Sequence, residues 1–309
     1  MPSIPNAASL PSKSIIVIGA GRGIGAAVAR YLVAEGAALL LADIDEAAAD
    51  RLATDLRGQG HRAAAMRIDV TRWDDCAALV ARCVDLYGRL DGLVNFAGIV
   101  YLRTPWEETE GDSARRLFEV NLLGSYNAGI HALQQMRRQG GGGSIVNTSS
   151  GTQAGMAAGA AYSASKGGIA SLTYAWAIDG AADGIRVNAI SPVATTAMSK
   201  NTDDYMRGKG QLQGERPFVD PACNAPAVAF FLSDAAAHVS GQVLRVHGEQ
   251  IQLMGHPAVM LPVMTQGTWD VASISQQLAQ AFPQGLPPLG LTGMQASFAP
   301  LQKVNQTPR

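Results

Sequence analysis

Short apolar runs recur along the chain, separated by longer stretches whose apolar positions fall every three to four residues. The first run, SIIVIG (14–19), is apolar nearly throughout and ends in glycine, which predicts a strand buried on both faces. AAVARYLVAEG (26–36) then has the helical period and a glycine stop. The alternation continues through AALLLAD (37–43), EAAADRLATDLRGQG (46–60), AAAMRID (63–69), DDCAALVARCVDLYG (74–88) and LDGLVNFAG (90–98). One long helix is predicted over 113–139, then a glycine turn at 140–143 and the strand SIVNTSS (144–150). A helix over 162–182, the strand GIRVNAISP (184–192), the helix PAVAFFLSD (226–234) and the strand GQVLRVHG (241–248) complete the pattern. Strands alternating with helices predict an α/β fold, a doubly wound parallel sheet with helices on both faces.

The regular part spans residues 14–250, with 1–13 as an N-terminal extension. Beyond about 250 the periodicity gives way to HPAVMLPVM and AFPQGLPPLGLTGM, rich in Pro, Gly and Met. Residues 251–309 are too apolar for a free solvated tail, so they are expected to pack on the domain or on a neighbouring subunit. Segment 199–222 is polar and punctuated by glycine, which predicts a loop.

Of the 309 residues, 47% are hydrophobic and 16% charged, with a formal net charge of −1. That balance gives no electrostatic reason to expect nucleic acid or an anionic membrane as partner. Three cysteines without a CxxC pair argue against a disulfide framework and for a reducing cytoplasm. MPSIPNAASLPSK lacks the features of a signal peptide, and no run approaches the ~18 apolar residues of a membrane span. The five histidines form no HExxH or comparable pattern, so no catalytic metal is expected.

Between the first strand and the first helix stands Gly19-Ala-Gly21-Arg22-Gly23-Ile24-Gly25. Glycines there let the backbone turn tightly and approach a pyrophosphate, whose charge then lies at the positive end of the helix. Asp43, at the end of the second strand and followed by Ile44, would accept hydrogen bonds from ribose hydroxyls and repel a 2′-phosphate. This favours NAD over NADP, although Arg22 could pair with a phosphate. A second candidate is Y162-SAS-K166, whose phenol and ammonium would sit one helical turn apart. Alone, it reads first as an ordinary helix start; as chemistry, the ammonium and the positive nicotinamide of an oxidised cofactor would favour the phenolate and lower its pKa.

Gly19-xxx-Gly23-x-Gly25, Asn95-x-Ala97-Gly98, Asn121, Ser150 and Tyr162-xxx-Lys166 stand in the order found in the short-chain dehydrogenase/reductase family. The resemblance covers roughly residues 14–248 and implies a Rossmann-type domain that exchanges hydride between a secondary alcohol and a nicotinamide cofactor. It makes Tyr162 the general acid/base and Lys166 the residue that tunes it and holds the nicotinamide ribose. Ser150 would donate to the substrate oxygen, with Ser149 as the alternative, and Asn121 would hold a proton-relaying water. Asp69 and Val70 would meet the adenine; Asn95, Ala97 and Gly98 would line the crevice. Pro192, Val193 and Thr195 would border the nicotinamide, although VATTAM (193–198) is one residue short and the roles of Thr195 and Thr196 are open. Ile18, Phe96 and VHGE (246–249) also depart from the usual pattern.

With the long tail, these departures resemble a bacterial branch similar to the dehydrogenase part of multifunctional β-oxidation enzymes, whose substrates are 3-hydroxyacyl thioesters or hydroxysteroids. A bulky apolar substrate is the expectation, with segment 199–222 closing over it. The family pairs the helices at 113–139 and 160–182 across subunits, which implies a homotetramer, or else a dimer. An idle NAD-binding sensor and a sugar-nucleotide epimerase are the rival readings; the glycine spacing disfavours the epimerase.

Overall fold

The computed structural model describes residues 10–210, 212–286 and 290–291. Strands β1 (Ser14–Ile18), β2 (Ala38–Asp43), β3 (Ala63–Arg67), β4 (Gly92–Asn95), β5 (Gly143–Thr148), β6 (Ile185–Val193), β7 (Val243–His247) and β8 (Gln250–Met254) form one sheet. Their order is β3-β2-β1-β4-β5-β6-β7-β8. All neighbours run parallel except β7 and β8.

The apolar runs fit strands covered on both faces. Successive side chains of β1 point to opposite sides. Ile15 and Val17 join Leu39, Leu41 and Phe231 in one core, covered by α1 (Gly23–Ala34), α2 (Glu46–Gly58) and α8 (Ala225–Leu232). Ile16 and Ile18 join Leu40, Leu93, Ile145 and Trp176 in the other, under α3 (Trp73–Tyr87), α5 (Gly124–Gln139) and α6 (Ala160–Asp179). Cys76 and Cys83 belong to this second core, where burial pushes both thiols up to about 12. Strand order reverses between β1 and β4, and the crevice outside their carboxyl ends is where such sheets receive ligands.

Three segments differ from the sequence expectation. The helix foreseen over 113–139 is α4 (Asp112–Leu117), a π-helical turn at Phe118–Leu123, and α5. The wider turn holds Asn121, whose carbonyl accepts a 2.6 Å bond from the Ser125 hydroxyl. Segment 199–222 begins as a helix, α7 (Ala197–Gly208). Thr196 and Ser199 cap each other's backbone there, and no glycine or proline intervenes before Gly208. Residues 251–254, assigned to the tail from sequence, extend the sheet in β8, where Ile251 pairs with Val246 and Leu253 with Leu244.

Among the described residues, those up to Gly255 form one compact unit and those from His256 on a second. In the second, α9 (Val271–Ala281) starts at an Asp270–Ser273 capping box. Residues 1–9 of the expected N-terminal extension, and 287–289 and 292–309 of the tail, lie outside the described residues.

Candidate active site

The glycine turn closes onto the strand-order reversal through backbone contacts. Gly19 has φ +74°, and a Cβ there would lie 2.8 Å from the Ala97 nitrogen, so only glycine lets β1 end against β4. A Cβ on Gly25 would lie 2.1 Å from the Gly19 carbonyl oxygen, so α1 sits directly over the turn. Arg22 occupies the N-cap of α1 in extended backbone without a side-chain cap, which leaves the N–H groups of the first turn to an anion. Gly21 donates its N–H to Asp43 Oδ2 at 2.8 Å, and Asp45 donates to Oδ1 at 3.0 Å. Asp43 is thereby fixed beside the turn, and each oxygen keeps a second lone pair. Ile24 packs on the core while Ile44 stands exposed. The close glycine contacts and the anchored carboxylate fit a dinucleotide.

Asp69 and Val70 follow β3. Burial raises the Asp69 pKa, but the Thr71 hydroxyl and N–H, with Arg116 and Arg67 nearby, outweigh it and leave the group below its ordinary value. Val70 is packed against Gly124, where a Cβ would come within 2.6 Å of its methyl. Its carbonyl accepts from Asn127 Nδ2 at 3.0 Å.

The amide of Asn95 is spent on structure. Its Oδ1 accepts from the Ala97 N–H at 3.0 Å, and its Nδ2 donates to Ser125 Oγ at 3.0 Å. Asn121 is fully buried and clasps one residue: Oδ1 accepts from the Ile99 N–H at 2.8 Å, and Nδ2 donates to the Ile99 carbonyl at 2.9 Å. Nδ2 also lies 3.3 Å from Ser165 Oγ. Gly98 is the narrow point, because a Cβ there would stand 3.3 Å from Asn121 Oδ1 and 3.8 Å from Lys166 Nζ.

Lys166 is buried, donates to the Thr148 carbonyl at 2.8 Å, and holds its Nζ 5.7 Å from the centre of the Tyr162 ring. Burial lowers its pKa to about 8. Burial also pushes the Tyr162 phenol up to about 12, against the pull of a hydrogen bond from Ser150. The expected depression of the tyrosine by the lysine is therefore reversed in the protein alone. Desolvation governs both groups, and Lys166 turns its ammonium to the Thr148 carbonyl.

The two serines separate clearly. Ser149 is buried, with its hydroxyl 2.6 Å from Gln153 Oε1 and 3.0 Å from the Lys166 carbonyl. Ser150 accepts from the Thr152 N–H at 3.2 Å and reaches the Tyr162 phenol. Ser150 thus faces the crevice and Ser149 braces α6 from behind.

At the end of β6, Pro192 and Val193 pair in register with Val246 and His247. Thr195 donates its N–H to the Val219 carbonyl at 2.8 Å and accepts the Val219 N–H on Oγ1 at 2.9 Å. Thr196 caps α7 and presents its methyl 3.5 Å from where a Gly23 Cβ would be. Thr148, Gln153 and Ser165 escaped the sequence reading, and the role left open for Thr196 is that of a helix cap. Only Thr196 carried a local signal, the T-x-x-S capping spacing.

A family model described as short chain dehydrogenase matches residues 13–206. A cis-4-hydroxycyclohexanecarboxylate dehydrogenase of Sinomonas cyclohexanicum is 42% identical over 75% of this chain and 94% of its own. An L-fucose dehydrogenase of Oryctolagus cuniculus is 42% identical over 76% of this chain and 84% of its own. Among solved structures, a short chain dehydrogenase from Mycobacterium avium superposes with a TM-score of 0.80 at 30% identity, covering 92% of this chain and 99% of that one.

Proposed function

Because the chain belongs to the short-chain dehydrogenase family, we propose that it is an NAD-linked dehydrogenase of bulky, apolar, ring-borne secondary alcohols. The family makes it an oxidoreductase of CH–OH groups that uses NAD or NADP. The preference for NAD rests on Asp43, whose carboxylate is anchored beside the glycine turn by Gly21 and Asp45. A ring-borne alcohol draws support from the similarity to a hydroxycyclohexanecarboxylate dehydrogenase. The apolar body follows the sequence expectation of a large hydrophobic substrate.

The observation that carries the reading is the meeting of Ser150, Tyr162 and Lys166 beside Gly98, where the strand order reverses. Nicotinamide, when bound, supplies the hydride acceptor or donor. Ser150 donates a hydrogen bond to the substrate oxygen as charge develops there. Tyr162 passes the hydroxyl proton through its phenolic oxygen. Lys166 brings a positive charge to the crevice, and Asn121 fixes its floor by clasping Ile99. A phenol near 12 holds its proton at pH 7, so it is poised to protonate a ketone. Oxidation needs that proton removed and should quicken as the pH rises.

Exposed Leu123, Tyr126 and Ile178 lie on the helices expected to pair between subunits, which supports a homo-oligomer, a tetramer before a dimer. Among the described residues no helix is long and apolar enough to cross a membrane; a cytoplasmic setting belongs to the same proposal. The test is to incubate the protein with NAD or NADP and a panel of cyclohexanols, hydroxysteroids, 3-hydroxyacyl thioesters and short open-chain alcohols at pH 7 and pH 9. Absorbance of reduced cofactor should grow with NAD and ring alcohols, faster at pH 9. A panel oxidised only in its open-chain members would overturn the substrate class.

A further inference from the structure

Helix α7 lies between two walls of the crevice. At its start, Thr196 leans on the glycine turn at Gly23. At its other end, Tyr205 donates its hydroxyl to Glu107 Oε2 at 2.7 Å, and Lys209 donates its ammonium to Glu107 Oε1. Glu107 belongs to the opposite wall. Its Oε2 also accepts the Thr104 N–H at 2.7 Å and the Thr104 hydroxyl at 2.9 Å, which sets the carboxylate before α7 arrives. That wall is fastened to the reacting centre one step further on. Arg103 donates its N–H to the Ala158 carbonyl at 2.7 Å and forms a β-bridge with Gly159, three residues before Tyr162. Among the described residues, the other ion pairs of α7, Arg207–Asp204 and Arg216–Asp203, stay within residues 203–216.

We propose that Glu107 is a positioning residue that latches α7 across the mouth of the crevice and so sets how the alcohol is held. The proposal rests on the reading of this crevice as an alcohol site and goes beyond it in naming what holds the cover shut. Helix α7 buries none of its own residues in the core, so packing alone holds it weakly. The lysine and tyrosine come from α7 and its C-cap, over ninety positions from the carboxylate. Breaking the Glu107 contacts therefore frees the far end of the helix without disturbing the sheet. The Lys209 ammonium also holds the Glu107 carboxyl down to about 2, so the latch stays charged through the working pH range.

The test uses the full chain and the variants Glu107→Gln and Lys209→Met. Amide hydrogen exchange across 197–208, without any ligand, should accelerate at least tenfold in either variant while α1 is unchanged. The double variant should exchange no faster than the singles, because both lesions open one latch. In turnover, Glu107→Gln should raise KM for the oxidised alcohol about tenfold and leave kcat within threefold. Exchange in 197–208 that is the same in Glu107→Gln and the parent chain would overturn the latch, whatever the substrate proves to be. Faster exchange with unmoved KM would overturn the positioning role alone, and a parent chain that oxidises no alcohol would count against the functional reading while the exchange result still stands.

Discussion

The glycine turn and the Tyr162–Lys166 helix face the same crevice but are held by different physics. The turn is fixed by backbone approach: Gly19 against Ala97, Gly25 against the Gly19 carbonyl, Gly21 against Asp43. Its charged member, Asp43, is satisfied by two backbone N–H groups. Across the crevice, Lys166, Asn121 and Ser149 are taken out of water and Tyr162 is half-buried, and both titratable groups shift as burial dictates. One side is shaped to receive an anion at little cost. The other keeps two ionisable groups under strain, the usual mark of groups that must change protonation in use.

If that contrast is right, the largest effect comes from the strained side. Tyr162→Phe keeps the ring and its packing but removes the oxygen proposed to handle the proton. Turnover should fall by roughly 10²–10⁴, while NAD affinity, measured by fluorescence titration, changes less than threefold. A variant that turns over at near-parental rates would show that another group moves the proton.

A smaller effect tests the strain directly. Burial lowers Lys166 from 10.5 to about 8, so the folded state disfavours the ammonium. The penalty is fully present below pH 8 and fades from about 8 to about 10.5, where the unfolded chain still carries a proton the folded one has released. Lys166→Met removes the charge at similar length and loses one bond to the Thr148 carbonyl, worth about 1 kcal/mol. At pH 7 the cofactor-free variant should be more stable than the parent by roughly 1–2 kcal/mol, and the gain should vanish near pH 10.5. Tyr162 has the opposite sign: its raised value takes stability away between about 10 and about 12 in both proteins. Denaturant unfolding from pH 6 to pH 10 checks this; a variant less stable than its parent at pH 7 would mean that the ammonium is well solvated by the protein.

The same contrast explains what could be read from the sequence. The glycine turn, the strand alternation and the Tyr-xxx-Lys spacing are short-range patterns, and each lies in the structure near its expected place. The π-helical turn at Asn121 was illegible because it depends on Ile99, twenty-two residues away, taking the amide. The sign of the Tyr162 shift was illegible because spacing states how near Lys166 is and not how dry the site becomes. The polarity and glycines of segment 199–222 predict a loop. Its first half is a helix because Thr196 caps it and Glu107, distant in sequence, holds its far end. Residues 251–254 stand where the strand–helix alternation fails, so nothing local marks a strand; pairing with β7 makes it.

The smallest effect belongs to the turn, and it separates shape from charge there. Asp43→Ala would remove the acceptor of both the Gly21 and the Asp45 N–H, and so would loosen the turn as well as discharge it. Asp43→Asn is the sharper change, because its amide oxygen can still take the Gly21 N–H while the negative charge is gone. If the carboxylate repels a 2′-phosphate, the ratio of kcat/KM with NAD to that with NADP should fall about tenfold in Asp43→Asn, or about 1.4 kcal/mol. Most of that change should come from better use of NADP, since Arg22 stands uncapped at the head of α1 and can meet the phosphate. Should the ratio hold in Asp43→Asn and fall only in Asp43→Ala, Asp43 would be a brace for the turn, and cofactor choice would have to be sought at Arg22 or Ile44.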